Sequence, residues 1–294
     1  MYDKILRKVK RILFNERKKF SEFSKILAKR NLYSNEEGVS SQKYFNERII
    51  VSLTSYDKRI NDAYLPIESI MNNFIKPNKI VLYLGEDMKN YTLPNTLQNQ
   101  QKRGLEIRFT KDIRAYKKLI PALKEFGADA VITIDDDVLY PPDAIESLLN
   151  GYKKNQNLIY ARRMHRIVKK KDILPYGKWE WEVQDDVISA LNFATGVGGV
   201  LYPPKCFPSE VFNENIFMDV CKFNDDIWFK AMSLLNGVYS QKVGDKKYDK
   251  FFPAAGFLEN EEASKFGLWN KNRVMNDIQI KAVFDKYDLW EKLV

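Results

Sequence analysis

Between residues 45 and 160, short apolar runs alternate with segments in which apolar side chains recur every three or four positions. Compact runs of Val, Ile, Leu and Tyr read as buried strands, and the three-to-four step reads as a helix face. Strands are predicted at Arg48–Leu53, Lys79–Leu84, Leu105–Phe109 and Ala130–Ile134, and helices at Leu65–Asn73 and Ala115–Phe126. This alternation predicts an α/β fold, a mostly parallel central sheet with helices on both faces. The second half is aromatic and irregular, with a strand predicted at Leu158–Arg162, a glycine-dense stretch at Gly196–Gly199, and helices at Asp225–Leu235 and Asn276–Lys286. Such a half suits recognition by loops carried on a rigid sheet.

Ahead of this body, Tyr33–Gln42 is polar and aperiodic and reads as a linker, and residues 1–35 read as a basic amphipathic helical extension. Ile5, Leu6, Val9, Ile12, Leu13, Phe20, Phe23 and Leu27 form its apolar stripe, with lysines and arginines between them. The net charge of +9 is concentrated there: residues 1–31 hold 11 Lys/Arg against 3 Asp/Glu, leaving 37 against 36 for the remainder. A helix lying on an anionic membrane surface has this pattern. An acidic partner fits equally, as does a stripe packed on the body or on a second subunit of an oligomer. Nucleic acid is disfavoured, because no reading motif accompanies the charge.

Composition adds exclusions. A chain of 294 residues that is 45% hydrophobic can bury a sizeable core. No stretch approaches the length of a membrane span. The two cysteines, Cys206 and Cys221, lack metal-type spacing and no secretory segment is evident, so a reducing, cytosolic compartment is expected. His165 is the only histidine, so no His-based metal set can form.

The candidate chemistry lies where predicted strands end. Asp135, Asp136 and Asp137 close an apolar run, and mutual repulsion makes such a cluster costly without a cation. On a strand Asp135 and Asp137 would share a face, at the carboxyl edge where open α/β sheets bind ligands. Hard oxygen donors favour Mg2+ or Mn2+ over zinc; a solvated acidic turn is the alternative. The first strand ends in Ser52, Thr54 and Tyr56 with Arg59 beyond, a setting for a nucleotide whose base stacks on Tyr56 and whose phosphate pairs with Arg59, or simply a loop with a surface arginine. A lysine of Lys117-Lys118 could neutralise a diphosphate, or be solvated like most helix lysines. Asp225 and Asp226 open a helix after Asn224; one could serve as general base and the other, or either alone, as N-cap. The run from Thr195 to Pro204, with Gly196, Gly198 and Gly199, permits close backbone approach but lacks dinucleotide-fingerprint spacing.

Taken in order, VSLTSYDKRI, KIVLYL, YKKLIPAL, VITIDDDVLYPP, YARRMHRI, ATGVGGVLYPP and NDDIWFKAM resemble bacterial glycosyltransferases of the GT-A type associated with surface polysaccharide and lipooligosaccharide assembly. The resemblance covers about residues 47–240. It implies a nucleoside diphosphate sugar donor, favouring UDP, held by Ser52, Thr54, Tyr56, Arg59 and Lys118. Asp135–Asp137 stand in place of the Asp-x-Asp motif, so Asp135 inherits the ribose contact, Asp137 the metal, and Asp136 either. Asp226 inherits the base of inverting members, preceded by Asp225, with aspartate replacing the usual glutamate. His165, Gly198, Gly199 and Trp228 fall on the acceptor side. The implied division is 45–294 as one glycosyltransferase domain, 45–160 binding the donor and 161–294 a glycan or lipid-linked glycan acceptor, on the inner face of the membrane. A retaining transferase on the same fold and a non-catalytic glycan-binding scaffold are the alternatives; a nucleotidyltransferase would need a glycine-rich phosphate loop that the N-terminal half lacks.

Overall fold

The central strands are apolar along their whole length because both faces are covered. Ile50, Val81, Tyr83 and Val131 point into one core cluster, while Ile49, Val51, Leu53, Ile80, Leu82 and Ile132 point into the other. Period-two alternation therefore divides apolar residues between two cores instead of between core and solvent, as parallel sheets require. The structure, a computed structural model, describes residues 21–244, 252–253 and 268–293. In chain order the strands are β1 (Ile49–Thr54), β2 (Lys79–Gly85), β3 (Leu105–Thr110), β4 (Ala130–Thr133), β5 (Val138–Leu139), β6 (Ile159–Ala161), β7 (Met164–Arg166), β8 (Asn192–Ala194), β9 (Val200–Tyr202), β10 (Ser240–Lys242) and β11 (Phe252–Pro253). Seven of them form a sheet ordered β10-β6-β9-β4-β1-β2-β3, in which only β9 runs antiparallel to its neighbours. The α/β architecture expected from the sequence is thus present.

The chain runs outward from β1 to β2 and β3, then returns to place β4 on the other side of β1. Such a reversal opens a crevice beyond the carboxyl ends of the two strands. The Ser52–Arg59 segment leaves β1 into it, and the three aspartates leave β4 into it.

The helices are α1 (residues 21–33), α2 (Tyr64–Met71), α3 (Asn95–Gln101), α4 (Ile120–Glu125), α5 (Ala144–Lys154), α6 (Glu214–Val220), α7 (Asp225–Leu235) and α8 (Leu268–Tyr287). Among the described residues no helix is long and apolar enough to cross a membrane. Both cysteines are buried and free.

Four sequence expectations are corrected. The predicted helix over Ala115–Phe126 is a 3-10 turn (Arg114–Lys118) followed by α4, because Pro121 in the first turn of α4 cannot continue an existing helix. The strand carrying the aspartates stops at Thr133, so Asp136 and Asp137 occupy a turn. Helices α3, α5 and α6 lie where none was predicted. The supposed linker is bound to the body: Gly38 N donates to Arg103 O at 2.8 Å, Ser40 N to Pro77 O at 2.9 Å, and Arg103 Nε to Glu36 O at 2.7 Å. A Cβ on Gly38 would stand 2.4 Å from Met71 Cγ. Of the amphipathic stripe, Leu27 is fully buried against Leu65 and Leu139 with Phe23 beside it. The stripe residues from Ile5 to Phe20 lie outside the described residues.

Candidate active site

Asn224, not an aspartate, caps α7: its Oδ1 accepts from Ile227 N at 3.3 Å. The cap leaves both following carboxylates to other partners. Asp225 Oδ2 lies 3.2 Å from Lys118 Nζ, which also donates to Asp135 Oδ1 at 3.0 Å. Asp226 pairs with no cation among the described residues, and both its oxygens accept from Gly196 N at 3.1 Å.

Gly196 explains how these groups meet. A Cβ there would stand 2.6 Å from Lys118 Nζ, 3.2 Å from Asp226 Oδ1 and 3.6 Å from Asp135 Oδ1. Only glycine leaves that space open. Lys118 reaches it from the end of the 3-10 turn, whose backbone is held by Ser52 Oγ donating to Lys118 O at 2.6 Å. Burial disfavours the Lys118 charge, but Asp135, Asp225 and Asp226 outweigh it and hold the amine well above its ordinary range. Lys118 is therefore a permanently charged, immobilised cation.

The turn after β4 carries a second cation centre. Arg59 Nη2 pairs with Asp136 Oδ1, and with Asp137 Oδ2 at 2.8 Å. Asp136 also accepts from Ser55 Oγ at 2.5 Å. The expectation that Asp135 and Asp137 share a strand face gives way to a different sorting, because the turn breaks the period of two: Asp136 and Asp137 meet Arg59, and Asp135 turns to Lys118. Tyr140 fixes that turn, its hydroxyl accepting from Asp135 N at 2.8 Å and donating to Val197 O at 3.3 Å.

Four aspartates thus share two ion-pairing cations, and Asp226 lies beside them as a fifth carboxylate. Burial raises the Asp226 carboxyl to about 7, Asp225 adds to the shift, and Lys118 opposes it. Burial likewise raises Asp137 to about 7, against the pull of Arg59. Asp136 is raised by burial, with Arg59 and Ser55 opposing.

The remaining candidates divide. Tyr56 is half exposed, with the Arg59 guanidinium 5.6 Å from its ring centroid, and stands open for stacking. Thr54 Oγ1 donates to Tyr83 O at 2.8 Å across to β2. Gly199 adopts φ 86 and packs against Tyr140, so it shapes the cluster through backbone conformation. Trp228 is fully buried in the core, its Nε1 donating to Val211 O at 3.1 Å. His165 is buried, with Nδ1 accepting from Glu182 N at 3.0 Å. Ser55 and Gly196 lie in the Ser52–Tyr56 and Thr195–Pro204 segments read from the sequence, whereas Tyr140 joins the cluster without having been given a role there. Gly196 is in the glycine-dense run, but its contact with Asp226 spans 30 residues and leaves no local signal.

Among the described residues no three His, Cys, Asp or Glu side chains form a ready-made metal cage. Mg2+-type sites commonly take one or two carboxylates and complete their shell with phosphate oxygens and water. The donor set fits such an ion: Asp135 and Asp137 each engage a cation through one oxygen, both are hard ligands, and the cluster has an excess of carboxylates.

No family model and no curated protein matches the chain. Among solved structures, it is similar to a CMP:2-keto-3-deoxy-manno-octonic acid synthetase complexed with CTP, at 12% identity and TM-score 0.39 over 68% of this chain and 92% of that one. It is also similar to a mannosyltransferase from Pyrobaculum calidifontis in complex with GDP-Man and Mn2+, at 13% and 0.43 over 75% and 64%. A third is glucosyl-3-phosphoglycerate synthase from Mycobacterium tuberculosis with Mn2+, UDP and phosphoglyceric acid, at 13% and 0.30 over 40% and 43%. These likenesses are distant.

Proposed function

We propose that the protein is a glycosyltransferase that moves a sugar from a nucleoside diphosphate donor, a UDP-sugar, to a glycan hydroxyl with inversion. The observation that carries this reading is Asp226: a carboxylate without an ion partner among the described residues, held on the Gly196 amide beside an immobilised lysine at the sheet's switch point. Asp226 accepts the proton of the acceptor hydroxyl. Lys118, clamped between Asp135 and Asp225, holds positive charge for the departing diphosphate. Tyr56 stacks on the base, Asp135 takes the ribose, and Ser52 and Ser55 hold Lys118 and Asp136 in place. Asp137 and Asp135 would hold Mg2+ or Mn2+, which supplies Lewis-acid neutralisation of the diphosphate. Residues 45–160 form the donor half and 161–294 the acceptor half.

A panel of UDP-, GDP- and CMP-sugars with Mn2+ tests the reading. At least one donor should be hydrolysed slowly without acceptor, and its transfer product should show inverted anomeric configuration by NMR. No turnover of any donor removes the transferase reading; a retained configuration removes Asp226 as base.

The basic extension is proposed to hold the enzyme on the inner face of the membrane. Because Leu27 is part of the body's packing, the informative deletion is residues 1–20, which carry 8 Lys/Arg against 2 Asp/Glu. That deletion should abolish sedimentation with phosphatidylserine vesicles, and binding by the full chain should weaken with salt, each basic residue contributing about 1 kcal/mol. Unchanged sedimentation of the truncated protein would place the contact elsewhere.

A further inference from the structure

Between β7 and β8 the chain makes a 25-residue excursion, 167–191, and returns beside its own start, Arg166 bridging to Glu180. Three aromatic residues lie close together on it: Tyr176, Trp179 and Trp181. One of them is accounted for by packing. Trp179 is buried with Nε1 donating to Leu174 O at 2.8 Å, and its ring is 4.8 Å from that of Tyr176. Trp181 is different. It remains 44% exposed although its ring centroid is 4.5 Å from His165 and 5.4 Å from Tyr176. A large apolar ring kept at the surface over a polar one has no core to serve.

The residue after it is held in an unfavourable conformation. Glu182 has φ 52, in the left-handed region that non-glycine residues rarely adopt. There its amide donates to His165 Nδ1 and its carboxylate pairs with Arg163 Nε at 2.9 Å. Strain of this kind persists where the surroundings over-determine it, and it clusters at ligand clamps. The amide also fixes the histidine tautomer. With Nδ1 accepting and burial holding the ring neutral, its pKa lowered to about 3, the proton sits on Nε2. That Nε2 has no partner among the described residues, though His165 has no exposed surface. A buried donor left unmet is costly, so its retention asks for a reason beyond packing.

The cluster adjoins the proposed base. His165 pairs with Phe193 across β7–β8, the next residues of β8 lead into Thr195 and Gly196, and Gly196 N holds Asp226. Arg163 closes the circuit, its Nη1 donating to Thr195 Oγ1 at 3.2 Å. The Tyr176 hydroxyl is raised to about 12, by burial first and then by Asp226, with Arg163 opposing. Tyr176 therefore lies within the field of the carboxylate proposed to take the acceptor's proton.

We propose that Trp181 and Tyr176 form the acceptor platform, on which the C–H face of a neutral hexopyranose stacks while its hydroxyls reach Arg163, Glu182 and the Asp226 carboxylate. The inference rests on the transferase reading and names the acceptor class for the same site. A sugar ring presents an apolar face and a polar rim, and so does this surface: half-exposed indole flanked by an ion pair and a phenol. Because Arg163 and Glu182 neutralise one another, the surface favours an uncharged sugar over an acidic one.

The test is ligand-observed saturation-transfer NMR with methyl β-D-glucopyranoside, methyl β-D-galactopyranoside and methyl α-D-mannopyranoside, with no donor present. The full chain should bind at least one of them with saturation strongest on ring C–H protons. Trp181→Ala should weaken that binding about tenfold or more, and Trp181→Phe, which keeps an aromatic face, should recover most of it; unfolding midpoints show whether each variant is folded. No binding of any glycoside by the full chain, or equal binding by Trp181→Ala, overturns the platform. So does loss of phosphatidylserine-vesicle binding by Trp181→Ala with glycoside binding intact, which assigns the ring, with exposed Val187 and Ile188, to a membrane contact. Turnover of the donor panel by the full chain is read separately: its absence for every donor overturns the transferase reading, whereas glycoside binding by itself decides the platform.

Discussion

Asp226→Asn should lower transfer by about two to four orders of magnitude while UDP affinity changes little. The amide keeps the size of the carboxylate and its oxygen can still accept from Gly196 N, so the α7 terminus should remain in place. What is lost is the capacity to take a proton. The wild-type rate should rise with pH through about 7, the value to which burial and Asp225 raise this carboxyl, because only the ionised form acts as base. The residual activity of Asp226→Asn should lack that limb. Asp225→Asn is the internal control: Asp225 pairs with Lys118, so its loss should disturb the lysine and weaken UDP binding yet keep the pH limb. If Asp225→Asn abolishes the limb and Asp226→Asn does not, the two roles are exchanged.

The separation of these two neighbours is not legible in the sequence. Two aspartates after an asparagine offer three candidate caps, and local propensity ranks them nearly equal. Asn224 takes the cap because its side chain is also anchored by Asn276, its Nδ2 donating to Asn276 Oδ1 at 2.9 Å, a contact 52 residues away. Strands β1 to β4 were readable because an apolar run between polar turns is a local signal, and both faces of the sheet need one. Helix α3, with the sequence NTLQNQQ, was not, because its polar composition carries almost no period. Lys118 was readable as a lysine near the crevice; that it is immobilised follows from Ser52, 66 residues earlier in the chain. The acidic run marked the site, whereas the pairing of each oxygen with its cation depends on a turn that strand periodicity does not describe. Trp181 gave no signal at all, since an exposed and a buried tryptophan look alike in a sequence that places Trp179 two residues before it.

Asp137→Ala should reduce transfer by about three orders of magnitude or more and remove the Mn2+-dependent part of UDP binding, with the unfolding midpoint held or raised. Asp135, Asp136, Asp137 and Asp225 share Lys118 and Arg59, with Asp226 beside them, and an excess of buried carboxylates over cations costs folding free energy unless a further positive charge enters with the ligand. Removing Asp137 relieves that excess, and it leaves the core intact because the residue occupies a partly exposed turn and not a strand. Arg59 retains Asp136, which Ser55 also holds, so the turn keeps its anchor. The same substitution at a residue that served only as an ion partner for Arg59 would lower the midpoint and spare the metal dependence. Calorimetric UDP titrations with Mn2+ and with EDTA, set beside thermal unfolding, separate the two outcomes: near-normal transfer by Asp137→Ala, or full wild-type activity in EDTA, would remove Asp137 as a metal ligand.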